Sequence, residues 1–205
     1  VINKNKKKKL KYLLKKSSAN LVLVSSLFFL IINLNLNDFY EMLNQEGYSK
    51  GIPIVIIVSF AKLYSMSIGC VNIIISNSKY YYYIFWFSII SSFLAVVLNL
   101  YLIQDYGIIG AAYATFIVIL IMNSLKLYLV NLKFKIHPYS YDTLKIIILT
   151  TFMYIIFNNL KLTLDPVISI AVKSTLILIL YTLAAYIFKL SDDVNIFIDK
   201  FNKNW

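Results

Sequence analysis

Six continuous apolar stretches, each about 17 to 24 residues long, run along this chain and are separated by short polar connectors. A helix rises about 1.5 Å per residue, so about 20 apolar residues cross a hydrocarbon layer of about 30 Å. Water-soluble cores do not need apolar runs of this length. The runs also lack the alternation of apolar and polar residues that marks barrel strands. The pattern therefore predicts an all-α, polytopic membrane bundle with six transmembrane helices.

The predicted transmembrane domain covers residues 19–188, between a basic segment at 1–18 and a mixed-charge tail at 189–205. In the tail, Val194, Phe197, Ile198 and Phe201 fall on one helical face, which predicts a helix lying in the membrane interface. The fifth span is the least apolar of the set. The predicted spans are 19–36, 52–75, 84–103, 108–130, 144–160 and 167–188.

The distribution of lysine predicts how the bundle is oriented. All 20 basic residues are lysines, and eight of them lie in the first sixteen positions. If the N-terminal side is taken as the inside, the inner connectors and tails carry fourteen lysines and the outer connectors carry two. This positive-inside bias predicts that both termini are cytoplasmic. The net charge of +11 is thus interpreted as an anchor beside anionic lipid headgroups, without nucleic acid as a partner.

Composition and motifs argue against most enzyme classes. The chain is 60% hydrophobic and 14% charged, whereas soluble domains are about 45–50% apolar and about 25% charged. Its one cysteine, Cys70, lies in a predicted span, and its one histidine, His137, is interpreted as a solvated loop residue. The chain has no HExxH, GxSxG or glycine-rich phosphate loop. We therefore expect no enzyme activity, no cofactor and no metal site.

Three lysines that lie more than one residue inside predicted spans, Lys62, Lys126 and Lys173, are the candidates for chemistry. A charge within the bilayer is costly and normally faces the bundle interior or a water-filled cavity. Lys126 lies about one turn from the inner end of its span, so its side chain can reach the headgroups. Lys173 lies about two turns from the outer end of its span. Two interpretations of Lys173 stay open: its side chain reaches the headgroups, or it has a role in the lumen. No predicted span contains a carboxylate.

Lys62 lies near the middle of the second span, within a stripe of polar and small residues spaced three and four apart. This spacing places them on one helical face. The stripe is either a helix-packing seam or the wall of an aqueous cavity, and the lack of a carboxylate partner favours the cavity. A milder stripe in the third span ends at Asn99. The candidates for a substrate lumen are therefore Lys62, Ser59, Ser65, Asn72, Lys173 and Asn99.

The segment Asp105–Thr115 reads DYGIIGAAYAT. It resembles the tyrosine–glycine–x–x–glycine–alanine–alanine helix start of bacterial polysaccharide flippases, in the multidrug, oligosaccharidyl-lipid and polysaccharide exporter superfamily. The segment FYEMLNQEGYSKG, at 39–51, lies where that family has a short outer turn, and the six spans look like the last six of a fourteen-helix member. The small residues of the first segment predict close helix packing, through Gly107, Gly110, Ala111 and Ala114.

This resemblance implies the C-terminal part of a flippase, with an N-terminal half of about eight helices missing before Val1. The implied substrate is an isoprenoid-pyrophosphate-linked oligosaccharide, moved across the bacterial cytoplasmic membrane during capsule or lipopolysaccharide biosynthesis. Such proteins have a cationic lumen, and Lys62 and Lys173 match that feature by position. The absence of arginine departs from many members and leaves open how phosphate is recognised.

Three other functions remain open. A membrane-embedded polysaccharide polymerase or ligase uses similar substrates but typically has a large outer loop with arginine and histidine. A multidrug exporter of the same superfamily is expected to have a carboxylate within the membrane. A structural membrane subunit that binds a partner protein is the third alternative.

Overall fold

The fold is helical throughout the residues described by a computed structural model, which are 4–43, 51–160, 164–191 and 193–196, and these contain no β-strand. Turns and short loops join the helices. Within these residues the helices are α1 (Lys4–Leu34), α2 (Leu36–Met42), α3 (Ile52–Ser67), α4 (Val71–Ser76), α5 (Tyr82–Tyr106), α6 (Ile108–Phe134), α7 (Tyr141–Asn158) and α8 (Pro166–Ile187), and residues 193–196 form a further helical turn.

Five of the described helices are long and apolar enough to cross a membrane: most of α1, from Lys7 to Leu34, and all of α5, α6, α7 and α8. Their lengths run from 18 to 28 residues. Helices of this kind define a multi-pass membrane protein. They correspond to the first, third, fourth, fifth and sixth predicted spans. The sequence predicts six crossings, whereas these helices account for five.

The remaining predicted span, 52–75, is not one helix. It is divided into α3, with 16 residues, and α4, with six. Between them Gly69 adopts a left-handed backbone conformation with φ +61°, which glycine accepts readily and which commonly ends helices. A Cβ at this position would lie 2.8 Å from the backbone nitrogen of Ser18. The close approach of α1 to the turn explains why glycine is needed here.

Two segments differ in extent from the expectation. The basic segment 1–18 is not separate from the first span, because α1 continues through it from Lys4. The connector 37–51 begins with α2, and its residues 44–50 lie outside the described part of the chain. In the predicted interfacial tail, Phe197, Ile198 and Phe201 also lie outside the described residues, whereas Val194 belongs to a helical turn.

Helices α7 and α8 begin with conventional caps. Ser140 and Thr143 form a reciprocal capping box at the start of α7. At the start of α8, the Asp165 side chain accepts a hydrogen bond from the Val167 amide at 3.0 Å. Pro166 occupies the first turn, where its missing N–H costs little. These local signals fix the starts of both helices.

The chain forms two compact units, and the division falls within α1. The first unit contains Val1–Ser18 and Pro53–Tyr139, and the second contains Ala19–Ile52 and Ser140–Trp205. In the first, Leu14 of α1 joins a buried cluster with residues of α4 and the end of α6, among them Val71 and Val130. In the second, α1, α7 and α8 share a core that includes Leu30, Ile146 and Ile177.

Helices α5 and α6 form a tight antiparallel pair in the first unit. Gly107 joins them with φ 58° and ψ −140°, a region almost restricted to glycine. One turn later, a Cβ on Gly110 would lie only 1.9 Å from the Leu102 carbonyl oxygen. Ala114 is fully buried and Ala111 is half-buried. The backbones of α5 and α6 therefore come together at Gly110, as small residues allow in membrane helices.

Replacing Gly110 with alanine should separate the first turns of α6 from α5. The added methyl cannot fit beside the Leu102 carbonyl, and overpacking of this kind typically costs about 1–3 kcal/mol. We expect a lower unfolding temperature for Gly110→Ala in detergent, measured by circular dichroism. Thr115→Ala, at an exposed position on the same helix, is the control. Equal unfolding temperatures for the two variants would contradict the close approach.

Candidate functional site

Lys62 lies on α3 with its side chain exposed. The preceding residue, Ala61, is fully buried, so Lys62 lies beside the packed face of the helix without being part of it. Its ammonium forms no ion pair with any described carboxylate. Lys62 is thus an exposed cation on an otherwise apolar helix, and a charged residue within a membrane helix is a candidate for a functional site.

The other members of the predicted stripe are not on one continuous helix. Ser59 and Ser65 are half-buried on α3 with Lys62, whereas Asn72 is exposed on α4, beyond the turn. Ser59 donates a hydrogen bond to the Ile56 carbonyl at 2.8 Å. The single helical face predicted for 59–76 is therefore not continuous, because α3 ends at Ser67 and a separate helix, α4, begins at Val71.

Asn99, the candidate from the third span, is half-buried on α5. Its side-chain nitrogen donates to the Ala95 carbonyl, one turn earlier, at 2.7 Å. This hydrogen bond ties one end of the amide to its own helix. The structure does not bring Asn99 and Lys62 together through any described contact.

The turn between α3 and α4 is built so that its backbone groups have partners. The Ser18 hydroxyl donates to the Ser67 carbonyl at 2.6 Å, and the Gly69 amide donates to the Met66 carbonyl at 3.1 Å. Close by, the Tyr64 and Ser124 hydroxyls lie 2.8 Å apart and link α3 to α6. Side chains from α1 and α6 thus support an interruption in an apolar helix.

Lys173, the second lysine of the candidate lumen, has a partner inside the protein. It is 8% exposed, and its Nζ donates to Asp38 Oδ2 at 2.8 Å. The Ser169 hydroxyl donates to the same oxygen at 2.5 Å. The side chain therefore neither extends to the headgroups nor presents an unpaired charge. A carboxylate on α2 compensates its charge, in the second unit.

Asp38 is held as a carboxylate. Burial alone would raise the pKa of this carboxyl, but the hydrogen bonds from Lys173 and Ser169 and the charge of the ammonium outweigh burial and lower the pKa below its ordinary value. Asn35, at the start of α2, adds a further contact, because its side-chain nitrogen donates to the Ser174 hydroxyl at 3.1 Å. Hydrogen bonds between polar side chains thus connect α2 and its N-terminal cap to α8.

Asp38 was not among the candidates predicted from the sequence, because it lies in the polar connector between the first two predicted spans. The available signal was on α8, where the buried positions recur every four residues and two of them are polar. That spacing describes one helical face that must meet something polar. The buried residues of α8 are Ser169, Lys173, Ile177, Tyr181 and Ala185.

The remaining candidates for chemistry are dispersed. His137 is exposed in the loop between α6 and α7, and Lys126 is half-buried on α6. Within the described residues, no three histidine, cysteine, aspartate or glutamate side chains form a group that could hold a metal ion. The expectation that the chain is not an enzyme stays a prediction.

Fold and site together define the class: a multi-pass helical membrane protein with a discontinuous helix and a paired lysine. The chain has no significant match to a protein-family model, a curated protein or a solved structure. The resemblance to polysaccharide flippases therefore rests on the segments quoted above.

Removing either partner of the Asp38–Lys173 pair should destabilise the packing of α2 on α8. Each of Asp38→Asn and Lys173→Met removes a hydrogen bond to a charged group, which typically costs about 2 kcal/mol, and the double variant should lose less than the sum. Thermal unfolding in detergent measures these costs. The control is Asp142→Asn, whose partner Lys145 lies 3.6 Å away at an exposed position.

Acid should also remove the stabilisation that the Asp38–Lys173 pair provides. The pKa of Asp38 is lowered in the folded protein, so the carboxylate stabilises the fold above its unfolded pKa, near about 3.9. This stability is lost as the pH falls through the folded value. The unfolding temperatures of wild type and Asp38→Asn should therefore converge as the pH falls from 5 towards 2. A constant difference over that range would contradict the pairing.

Proposed function

We propose that this chain is part of a flippase in the bacterial cytoplasmic membrane. Its proposed substrate is an isoprenoid-pyrophosphate-linked oligosaccharide, which it carries from the inner to the outer leaflet for cell-surface polysaccharide biosynthesis. The proposal takes its substrate class from the resemblance at Asp105–Thr115 and its physical basis from the first unit.

One observation carries the proposal: the apolar segment 52–75 is interrupted at Gly69, and an exposed lysine lies two turns before the interruption. Irregular backbone at membrane depth is tolerated where it is buried in protein or lines a water-filled cavity. Transporters use such discontinuous helices to build their binding sites. Lys62 supplies the positive charge that a pyrophosphate needs in such a passage.

The proposed topology has six crossings, with α3 and α4 together forming the second, and both termini in the cytoplasm. Two contacts within the units support it. Residues of α1, of the α4–α5 turn and of the end of α6, all assigned to the inner side, line one cavity. On the outer side, Asp38 of the first outer connector meets Lys173, near the outer end of the sixth span.

Labelling of single cysteines tests this topology. Cys70→Ser removes the only cysteine, and Lys79→Cys and Gln104→Cys then place one thiol at each proposed side. With intact cells, a membrane-impermeant maleimide should label position 104 and should label position 79 only after the cells are opened. The reverse pattern, or equal labelling of both positions in intact cells, would refute the orientation.

In the proposed mechanism, the sugar and pyrophosphate move through the polar passage while the isoprenoid chain stays in the bilayer. An ammonium 4 Å from a phosphate charge gains about 4 kcal/mol at an effective dielectric near 20. Attraction of this size favours occupancy and still permits release. Lys62 therefore acts as an electrostatic binding residue and takes no part in bond making.

The substitution Lys62→Gln is introduced into the chromosomal gene. It should reduce surface polysaccharide and cause the lipid-linked intermediate to accumulate on the inner leaflet. The change removes the charge and keeps the length of the side chain. Lys62→Arg should restore export, because the charge returns. Lys126→Gln is the matched control, since it removes a lysine from a helix in the same unit.

Immunoblots of the membrane fraction must show equal amounts of all variants. Normal surface polysaccharide in Lys62→Gln at wild-type protein levels would refute the role of Lys62. Loss of export in Lys126→Gln but not in Lys62→Gln would show that Lys126, and not Lys62, is the lysine that export requires.

A multidrug exporter is the second candidate, and Asp38 is the observation that favours it. Such a pump is expected to need a carboxylate that exchanges protons or cations, and Asp38 lies in a largely enclosed contact with α8, its side chain 17% exposed. The same strains separate the two candidates. An exporter with Asp38→Asn should lose resistance to cationic drugs while surface polysaccharide stays normal, whereas a flippase should show no change in drug resistance.

A further inference from the structure

A cavity of ≈ 660 Å³ lies in the first unit, where α1, α4, the α4–α5 turn and the end of α6 meet. This is within the range of roughly 300–1,000 Å³ that is usual for small-molecule sites. It is separate from the Lys62 region, because none of its lining residues belongs to α3. The proposed transport function does not use it.

The walls of the cavity have two chemically different parts. One part is apolar and includes Leu10 and Leu13 of α1 and Ile73 of α4. The other part is polar and cationic, with Lys79 and Lys133 and the side chains of Asn77 and Ser78. None of the lining residues is acidic. A ligand that fits both parts carries a negative charge at one end and a hydrocarbon at the other.

The two ammonium groups are positioned by one aromatic ring. The Nζ atoms of Lys79 and Lys133 lie 5.2 and 5.4 Å from the centroid of the Tyr80 ring, within the range of cation–π attraction. The ring is itself held edge-on by Phe134, with centroids 5.9 Å apart. Both ammonium groups thus lie within 5.4 Å of the centre of one ring in the cavity wall, and an anion bound beside that ring would offset part of their charge.

The turn that carries Lys79 and Tyr80 is also fixed. The Ser78 hydroxyl donates to the Ile75 carbonyl at 2.8 Å and accepts from the Tyr80 amide at 3.1 Å. The exposed lysines Lys8, Lys9 and Lys11 flank Leu10 on α1. They add positive charge to the same end of the unit, on the side assigned to the cytoplasm, where anionic lipids are concentrated.

We infer that this cavity binds an anionic glycerophospholipid of the cytoplasmic leaflet. The phosphate lies between Lys79 and Lys133, and the start of an acyl chain lies against Leu13 and Ile73. A basic pocket between transmembrane helices on the cytoplasmic side is the expected form of such a site. The inference goes beyond the proposed transport function and rests on the membrane assignment and on the proposed orientation.

Native mass spectrometry of the chain in detergent tests the inference, with phosphatidylglycerol and phosphatidylcholine of identical acyl chains as probes. We expect phosphatidylglycerol to bind with at least about tenfold higher affinity. The double variant Lys79→Gln/Lys133→Gln should remove this preference. The matched control is Lys135→Gln/Lys189→Gln, which deletes two exposed lysines that do not line the cavity.

Further measurements separate the sources of the phosphate and check the fold. Free glycerol 3-phosphate should not displace phosphatidylglycerol at equal concentration, because it lacks the hydrocarbon that meets the apolar wall. Displacement would make the cavity a site for soluble phosphate esters and overturn the inference. Equal affinity for the two lipids, or an equal loss in both double variants, would also overturn it. Unfolding temperatures without lipid show whether the variants stay folded.

Discussion

In an apolar medium every peptide N–H and C=O group needs a hydrogen-bond partner inside the protein, and this demand governs the structure. Helices meet that demand within a single segment, which is why the described residues that cross the hydrocarbon are helical. At the turn around Gly69 the demand is not met within a helix. There the Ser67 carbonyl receives its hydrogen bond from the Ser18 hydroxyl instead. The interruption can exist because α1 packs against it.

The same physics applies to charge. A lysine within an apolar helix can obtain a counter-charge or lie where it is exposed, and Lys173 and Lys62 show these two outcomes. Lys173 is buried and obtains Asp38, whereas Lys62 is exposed. A buried pair mainly fixes which surfaces meet, because desolvation offsets much of the attraction. An exposed lysine keeps its attraction for an external anion. Both lysines were candidates for the lumen from their positions within predicted spans, and the structure places them in different environments.

The elements that could be predicted from the sequence are those whose signals are local. The start of α6 at Ile108 was predicted to the residue and the other ends of the α5–α6 hairpin to within four residues, because Gly107 stands between two long apolar runs. The division of 52–75 into α3 and α4 was not predicted, because Gly69 lies within a continuous apolar run and acquires its role only from the approach of α1. The Asp38–Lys173 contact joins residues 135 positions apart. No local pattern links them, although the spacing of Ser169 and Lys173 showed that α8 has a polar face to satisfy.

Helix α1 has a consequence for the order in which the chain acquires its structure. The first unit contains the α5–α6 pair, whose contacts are close in sequence and form as soon as both helices exist. The second unit joins α1 to α8, as in the hydrogen bond from the Tyr181 hydroxyl to the Leu23 carbonyl across 158 positions. Closing such a long loop is entropically slow. During synthesis the C-terminal half of α1 must therefore wait in the bilayer, unpaired, until the last helices emerge, and in that interval it is open to chaperones or to wrong partners.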